Sequence, residues 1–256
     1  MSIEIAISTL NDGIHSVCVN NDGFHYLVIH QITNGNNYHN AIDKLIREGI
    51  KYYHYNEKGL SLSRNQAIKR SAFDYIWIMD DDVEIFSDSK ARVERLVDSY
   101  PGVDAFILNH SSDIDKRLSS KKFKEISYIS AASVSSIDIL IKRSSVINNN
   151  IYFDERFGLG TSLPSGEEYI FITDMLKNGL AVLQTNLVVS HHPPAASGHD
   201  FYSTPQKIKA KKAIFQRIFG TGIISRFMFF IFILKKSLRL LKQKKLNAYL
   251  LELISK

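Results

Sequence analysis

A single cysteine, Cys18, stands among 256 residues. One thiol excludes an intramolecular disulfide framework, and the chain is expected in a reducing compartment. Nowhere is there an unbroken run of about twenty apolar residues, the length that crosses a bilayer. Residues 223–234 are nearly all apolar but stop short of it and are interrupted by Ser225 and Arg226. The N-terminal MSIEIAIS has neither the basic n-region nor the apolar h-region of a secretory signal and reads as the start of a strand. Internal repeats and low-complexity linkers are also missing.

What is present is enough for a sizeable core: 45% of the residues are hydrophobic and 11% aromatic. One large domain, or one domain with an appendage, fits that content. The net charge of +6 hides a partition. Residues 207–256 hold thirteen of the 32 Lys and Arg beside one acid, Glu252, for +12; the first 206 residues carry nineteen bases against 25 acids, for −6. An acidic body thus bears a basic tail. A nucleic-acid binder would display its positive charge on the folded body, so no nucleic-acid partner is expected.

Apolar runs at residues 4–10, 24–32, 51–55 and 75–79 read as strands. They alternate with helical spacing at 38–49, which ends at Gly49, and at 61–72, where Ser61 or Ser63 is available as a cap. A further helix, 89–99, is stopped by Pro101. This alternation predicts a mostly parallel α/β sheet. In the second half, 105–110 and a long Ser-rich stretch, 126–141, read as strands. Residues 151–164 read as loop, 167–178 as a helix ended by Gly179, and 181–189 as a strand running into His191 and His192. The tail, from Thr204, reads as two helical pieces split by Gly-Thr-Gly at 220–222. In the second of them KKSLRLLKQKK (235–245) follows the aromatic-rich apolar run. A basic amphipathic helix beside such a wedge suits an anionic membrane surface, and residues 216–256 are expected to provide that contact; the bland alternative is a packing helix with a solvated basic face.

Residues 75–86, YIWIMDDDVEIF, drive a greasy segment into three adjacent carboxylates. Like charges in a low-dielectric neighbourhood repel, so something should offset the cost. At the carboxyl end of a parallel strand, where open α/β sheets place ligands, Asp80 and Asp82 point to one side and can converge on a hard divalent cation such as Mg²⁺ or Mn²⁺. A solvated acidic turn would be the better reading of an isolated Asp-Asp-Asp.

The ordered set changes that balance. Ser8-Thr9-Leu10-Asn11 is followed by Gly59-Leu60-Ser61-Leu62-Ser63-Arg64-Asn65 and then by Asp80-Asp81-Asp82. In order and approximate spacing these pieces resemble family 2 glycosyltransferases, a GT-A fold group that uses nucleotide-diphosphate sugars; the resemblance covers about residues 3–200. It implies a mixed sheet flanked by helices, with Thr9, Asn11, Gln31, Arg64, Asn65, Asp80 and Asp81 on the donor. Asp82 would be the main metal ligand, with Asp80 near the ribose or metal. Arg64 would face the diphosphate through its bidentate donor geometry; a surface ion pair is its ordinary alternative, as a brace for the loop is for Asn65. The family's second strand commonly ends in an acid that reads the base. Here Ile29-His30-Gln31-Ile32-Thr33 lacks it, so Gln31 is left to meet a uracil edge and a UDP-sugar stays only the family default.

Phe153-Asp154-Glu155-Arg156-Phe157-Gly158 and Gly166-Glu167-Glu168 resemble the family's acceptor-side motifs. By that resemblance Glu168 or Glu167 is the general base; as ordinary first-turn glutamates they would only favour the helix dipole. His191 or His192 stands where several such enzymes place a late histidine near the metal, and Ser197-Gly198 would belong to a loop closing over the donor. The resulting expectation divides the chain into a glycosyltransferase domain, 1–205 (donor half 1–104, acceptor half 105–205), and an amphipathic membrane-associating tail, 206–256. It describes a metal-dependent, inverting transfer of a sugar to a glycan or polyprenyl-linked acceptor in surface-polysaccharide assembly, at the cytoplasmic face of the cell membrane. The rivals are a metal-dependent phosphoryl or nucleotidyl transferase and a non-catalytic membrane scaffold with a degenerate donor site.

Overall fold

The computed structural model describes residues 1–19, 23–115, 123–193 and 204–254; Ser197-Gly198 lie outside them. The first half builds a parallel sheet: β1 (Ile3–Leu10) and β2 (His25–Gln31), with only a 3-10 turn at Asn11–Ser16 between them, then α1 (His39–Arg47), β3 (Lys51–Tyr55), α2 (Leu60–Arg70) and β4 (Tyr75–Asp80). A short β5 (Glu84–Ile85) precedes α3 (Ser89–Ser99). Then come β6 (Ala105–Ser111), β7 (Lys124–Glu125), β8 (Ile139–Lys142), α4 (Arg143–Asn148), α5 (Glu167–Lys177) and β9 (Val182–His191). The strand order is β3-β2-β1-β4-β8-β6-β9-β5, with β7 paired to β9. Strands β1 to β4 pair in parallel, whereas β8 runs antiparallel to both β4 and β6. The sheet is therefore mixed, its parallel part confined to the first half and to the β6–β9 pair.

Period-two alternation sorts β4 into two cores. Ile76 and Ile78 join Leu27, Ile29, Ile107 and Ile141 under α2 and α5; Trp77 and Met79 join Ile5, Val28 and Phe106 under α1 and α3. Both faces are covered, which is why these strands read as continuous apolar runs. Trp77 donates its indole N–H to the Ile137 carbonyl at 2.7 Å, so even this wholly buried ring leaves no donor unmet.

Three expectations are corrected. The long strand over 126–141 is strand only at its end: Ser130–Ser133 and Ser136–Asp138 are 3-10 turns. Ser127, Ser130 and Ser133 hydrogen-bond to one another and to nearby main chain, competing with a sheet ladder as serines do. Neither Ser61 nor Ser63 caps α2. Its N-cap is Gly59, at φ +148°, while Ser61 donates to the Phe157 carbonyl and Ser63 to Ser8 Oγ. Finally, the tail has three helices: α6 (Pro205–Phe219), α7 (Ile223–Lys242) and α8 (Leu246–Ile254). The break between the last two comes at Lys244, whose φ of +55° no helix continues through.

Helix α6 starts as its sequence dictates, Thr204 Oγ1 accepting from the Lys207 N–H with Pro205 in the first turn. It faces two ways. Ile214 and Ile218 enter the core beneath the sheet, while Ile208 and Phe215 join Phe229, Ile233, Leu240 and Tyr249 in a small cluster with α7 and α8. Arg217 clamps it to the body through Asp154 at 2.8 Å and a fork on Asp174 at 2.6 and 3.1 Å. Helix α7 leaves a second apolar stripe uncovered. Ile223, Phe227, Phe230, Leu234, Leu238 and Leu241 follow one another at helical spacing, and Ile223 and Leu238 are 82% and 76% exposed. Among the described residues, no helix is long and apolar enough to cross a membrane.

Candidate active site

The carboxyl ends of β1, β2 and β4 meet the first turns of α2 and α5, and the charged residues of both halves converge there. Arg64 is the hub. Carried on the second turn of α2 and 1% exposed, it reaches Asp80 Oδ1 at 3.3 Å through Nη2, and Glu167 Oε1 at 3.2 Å and Glu168 Oε1 at 3.4 Å through Nη1. Its guanidinium also lies over the Phe153 ring. One buried cation shared by three carboxylates answers the cost of packing acids against an apolar strand: charges this far from water persist only when paired.

The environment divides the two glutamates. Glu167 is 4% exposed, and its Oε2 is buried without a hydrogen-bond partner. Glu168, at 20%, reaches the surface of the cleft. Burial first, and then the Glu167 charge, push the Glu168 carboxyl up to about 7, against the opposing pull of Arg64. Both acids begin α5 after Gly166, whose φ of +97° and bare Cα let α6 approach; a Cβ there would lie 2.1 Å from Ile214 Cδ1. Lys211, one turn earlier on α6, interacts electrostatically with both glutamates. Nothing in the sequence ties this tail lysine to the Gly-Glu-Glu motif; the packing of α6 on α5 brings them together.

Asp80 and Asp82 do not converge as expected: β4 ends at Asp80, a turn carries Asp81 and Asp82, and the three side chains part. Asp81 turns inward and accepts from Thr9 Oγ1 at 2.5 Å. The turn 11–16 closes over that pair at Gly13, where a Cβ would fall 2.2 Å from Asp81 Oδ2. Burial raises the Asp81 carboxyl, with the Thr9 hydrogen bond opposing. Asp80 faces Arg64. Asp82, 56% exposed, lies 3.2 Å from His192 Nε2, just beyond the end of β9. His191 ends that strand opposite Glu84 and Ser111, and no polar contact joins it to the aspartates.

Three other candidates are engaged in the framework. Asn65 holds the 153–155 loop, donating to the Phe153 carbonyl and Glu155 and accepting from the Phe153 N–H. Gln31 exchanges two hydrogen bonds with the main chain of Gly59, at 3.0 and 3.1 Å, so its amide faces that backbone and not the cleft. Asn11, at φ +50°, ties the ends of β1 and β2 together by accepting from the Thr33 N–H and donating to the Thr33 hydroxyl. Asn tolerates that left-handed conformation better than most residues.

A divalent cation fits the donor set at Asp82. A carboxylate oxygen and an imidazole nitrogen 3.2 Å apart are spaced like adjacent ligands of an ion bound at about 2.1 Å to each, which lie about 3.0 Å from one another. Among the described residues, no three His, Cys, Asp or Glu side chains form a cage that could hold an ion unaided.

The sequence profile of glycosyl transferase family 2 matches residues 7–159. Among solved structures, Staphylococcus aureus TarS 1–349 aligns over 97% of this chain and 89% of its own, at 13% identity and a TM-score of 0.62. TarS 1–349 has also been crystallised with UDP and with UDP-GlcNAc. A mannosyltransferase from Pyrobaculum calidifontis, in complex with GDP-Man and Mn²⁺, aligns over 87% of this chain and 65% of its own, at 13% and 0.58. Glucosyl-3-phosphoglycerate synthase from Mycobacterium tuberculosis, with Mn²⁺ and UDP, aligns over 85% and 80%, at 13% and 0.52. The chain spans only 39% of the longer TarS chain it matches. No curated protein matches the sequence.

Proposed function

The chain belongs to glycosyl transferase family 2, and from that premise we propose that it transfers a hexosyl or N-acetylhexosaminyl group from a nucleotide-diphosphate sugar to an acceptor hydroxyl. The observation that carries this reading is the Arg64 hub, which ties a donor-side aspartate to the acceptor-side glutamates at the carboxyl edge of the sheet. UDP-sugars remain the default donors. With the Gln31 amide bound to Gly59, discrimination of the base falls to other groups.

Glu168 is the general base. It is the more accessible of the pair, and a carboxyl held near 7 is matched to taking a proton at neutral pH. Glu167 lies at the back of the site, and Arg64 contacts both glutamates. Asp82 and His192 would hold Mn²⁺ or Mg²⁺, which supplies neutralisation of the leaving diphosphate when bound. Attack by the deprotonated hydroxyl on the face opposite the diphosphate breaks the anomeric C–O bond and inverts the centre.

The acceptor is a glycan or a polyprenyl-linked saccharide of a surface polysaccharide such as capsule or O-antigen, and the enzyme works peripherally at the cytoplasmic face of the cell membrane. Support comes from α7, where the uncovered stripe is flanked by Arg226, Lys235 and Lys242. Apolar area beside basic residues suits an anionic bilayer interface. Isothermal titration of UDP and GDP with Mn²⁺ tests the donor site: the expected result is binding that Asp82→Ala abolishes. Failure to bind either nucleotide, or to release a nucleoside diphosphate from any of a panel of nucleotide sugars, overturns the transferase reading.

A further inference from the structure

The Ser-rich segment 126–133 takes no part in the proposed chemistry, yet it holds two apolar side chains out in solvent. Ile126 and Ala131, both buried, anchor it, and the Ile126 N–H donates to the Val182 carbonyl at 2.9 Å. Between these anchors Tyr128 is 37% exposed and Ile129 64%. The turn closes on itself. The Ser127 N–H donates to Ser130 Oγ at 2.8 Å, the Ser130 N–H to Ser127 Oγ at 3.3 Å, and the Ala131 N–H to the Ser127 carbonyl at 2.9 Å.

A lone exposed isoleucine is ordinary on a protein surface; its neighbours set this one apart. The Tyr128 ring lies 6.5 Å from the ring of Phe219, the last residue of α6. Four residues later Ile223 begins the uncovered stripe of α7, and Ile224 beside it is also exposed. The turn and the start of the stripe therefore lie at the same end of α6. The charge there suits an anionic surface. The one acid of the tail, Glu252, is paired with Lys212 at 3.5 Å, so the tail remains strongly positive; on the other side of the turn the exposed Lys124 and Glu125 offset each other. Backbone enters a low-dielectric phase cheaply only where its polar groups are already paired, and tyrosine is favoured at the level of lipid headgroups. The turn meets both conditions.

We propose that Tyr128 and Ile129 form a second membrane contact, carried on the body of the protein, that enters an anionic bilayer together with the α7 stripe. The inference rests on the membrane reading of α7 and extends it from the tail to the body. A single helix lying on a bilayer leaves its domain free to roll about the helix axis. A second contact from a different element removes that freedom and fixes how the sheet stands over the lipid. It also gives the serines of this segment a purpose: their hydroxyls pair the turn's own main chain and so let its apolar tip leave water.

The test is partition of the full chain onto vesicles of phosphatidylcholine with phosphatidylglycerol. Ile129→Gln is expected to weaken binding about five- to tenfold, the order for returning part of one isoleucine side chain to water. Its melting temperature should match that of the wild type, because the position is exposed. Ile129→Trp supplies a direct probe, since the chain's one tryptophan, Trp77, is wholly buried. Its added emission should shift to the blue on vesicles and be quenched by brominated lipid, while wild-type emission stays unchanged. Wild-type affinity in Ile129→Gln with no quenching in Ile129→Trp, in a protein whose α7 variants lose binding, overturns the body contact and leaves the tail reading standing. Self-association that Ile129→Gln abolishes while vesicle binding persists overturns it too, by making the patch an interface between copies of the chain. A wild-type chain that does not bind these vesicles defeats both readings together.

Discussion

If Glu168 is the base and its carboxyl is held near 7, the rate must report that proton. At pH 6 roughly one-tenth of Glu168 would be ionised and at pH 8 roughly nine-tenths, so kcat should climb about tenfold between them; an ordinary glutamate, titrating near 4.5, would give no limb in that window. The groups facing Glu168 set the sign of each variant's effect. Glu167 raises its pKa and Arg64 lowers it. Glu167→Gln should therefore move the limb to lower pH, recovering part of the tenfold loss at pH 6 with little change in the plateau. Arg64→Met should move it to higher pH. Glu168→Gln should cost the plateau about 10²- to 10⁴-fold, the usual yield of general-base catalysis. The assay is release of nucleoside diphosphate from the active donor, measured at saturating substrate from pH 5.5 to 9. A linkage check follows from the same proton. The folded chain keeps it up to about pH 7 while the unfolded chain loses it near 4.5, so wild-type stability relative to Glu168→Gln should fall as pH rises through that interval. A Glu168→Gln plateau within a few-fold of wild type, or a limb that Glu167→Gln leaves in place, refutes the assignment.

Replacing Arg64 by Met strands three partly buried carboxylates and should destabilise the fold by about 3–5 kcal/mol, read from urea unfolding. Gly166→Ala places a Cβ against Ile214 in a left-handed backbone and should cost about 1–3 kcal/mol; a wild-type melting curve would show that α6 does not seat there. Arg217→Ala removes the fork on Asp174 and one of two arginines on Asp154, whose carboxyl is held at about 2, with Arg156 the larger influence. Stability supplied by Asp154 is present above its ordinary value of 3.8 and lost as pH falls toward 2, so the gap between wild type and Arg217→Ala should narrow on acidification. Changing Phe227, Leu234 and Leu238 together to Gln alters only exposed positions of α7. It should leave the melting temperature unchanged and abolish sedimentation with anionic vesicles; retained binding would count against the membrane face.

The parallel half of the fold was legible because its signals are local. Each strand is a short apolar run, each helix carries its own period, and Gly49 stops α1 with a positive φ. The second half was harder to read. A serine run has strand-like spacing but hydroxyls that close turns within a few residues, and the competition between them is decided by what packs alongside. The break at Lys244, between two leucine-rich helices, carries no Gly or Pro to announce it.

By itself the sequence determined the order of elements, the acidic triplet at a strand's end, the two glutamates after Gly166 and the charge contrast between body and tail. These properties are fixed by neighbours in the chain. Tertiary structure alone decided which groups share an environment. It placed Arg64 among acids sixteen and more than a hundred positions away, bound Gln31 to Gly59, separated the exposure of Glu168 from that of Glu167, and set Asp138 behind His110. Pairing and burial are what move a proton or orient a ring, and both depend on distances through space that no spacing along the chain specifies.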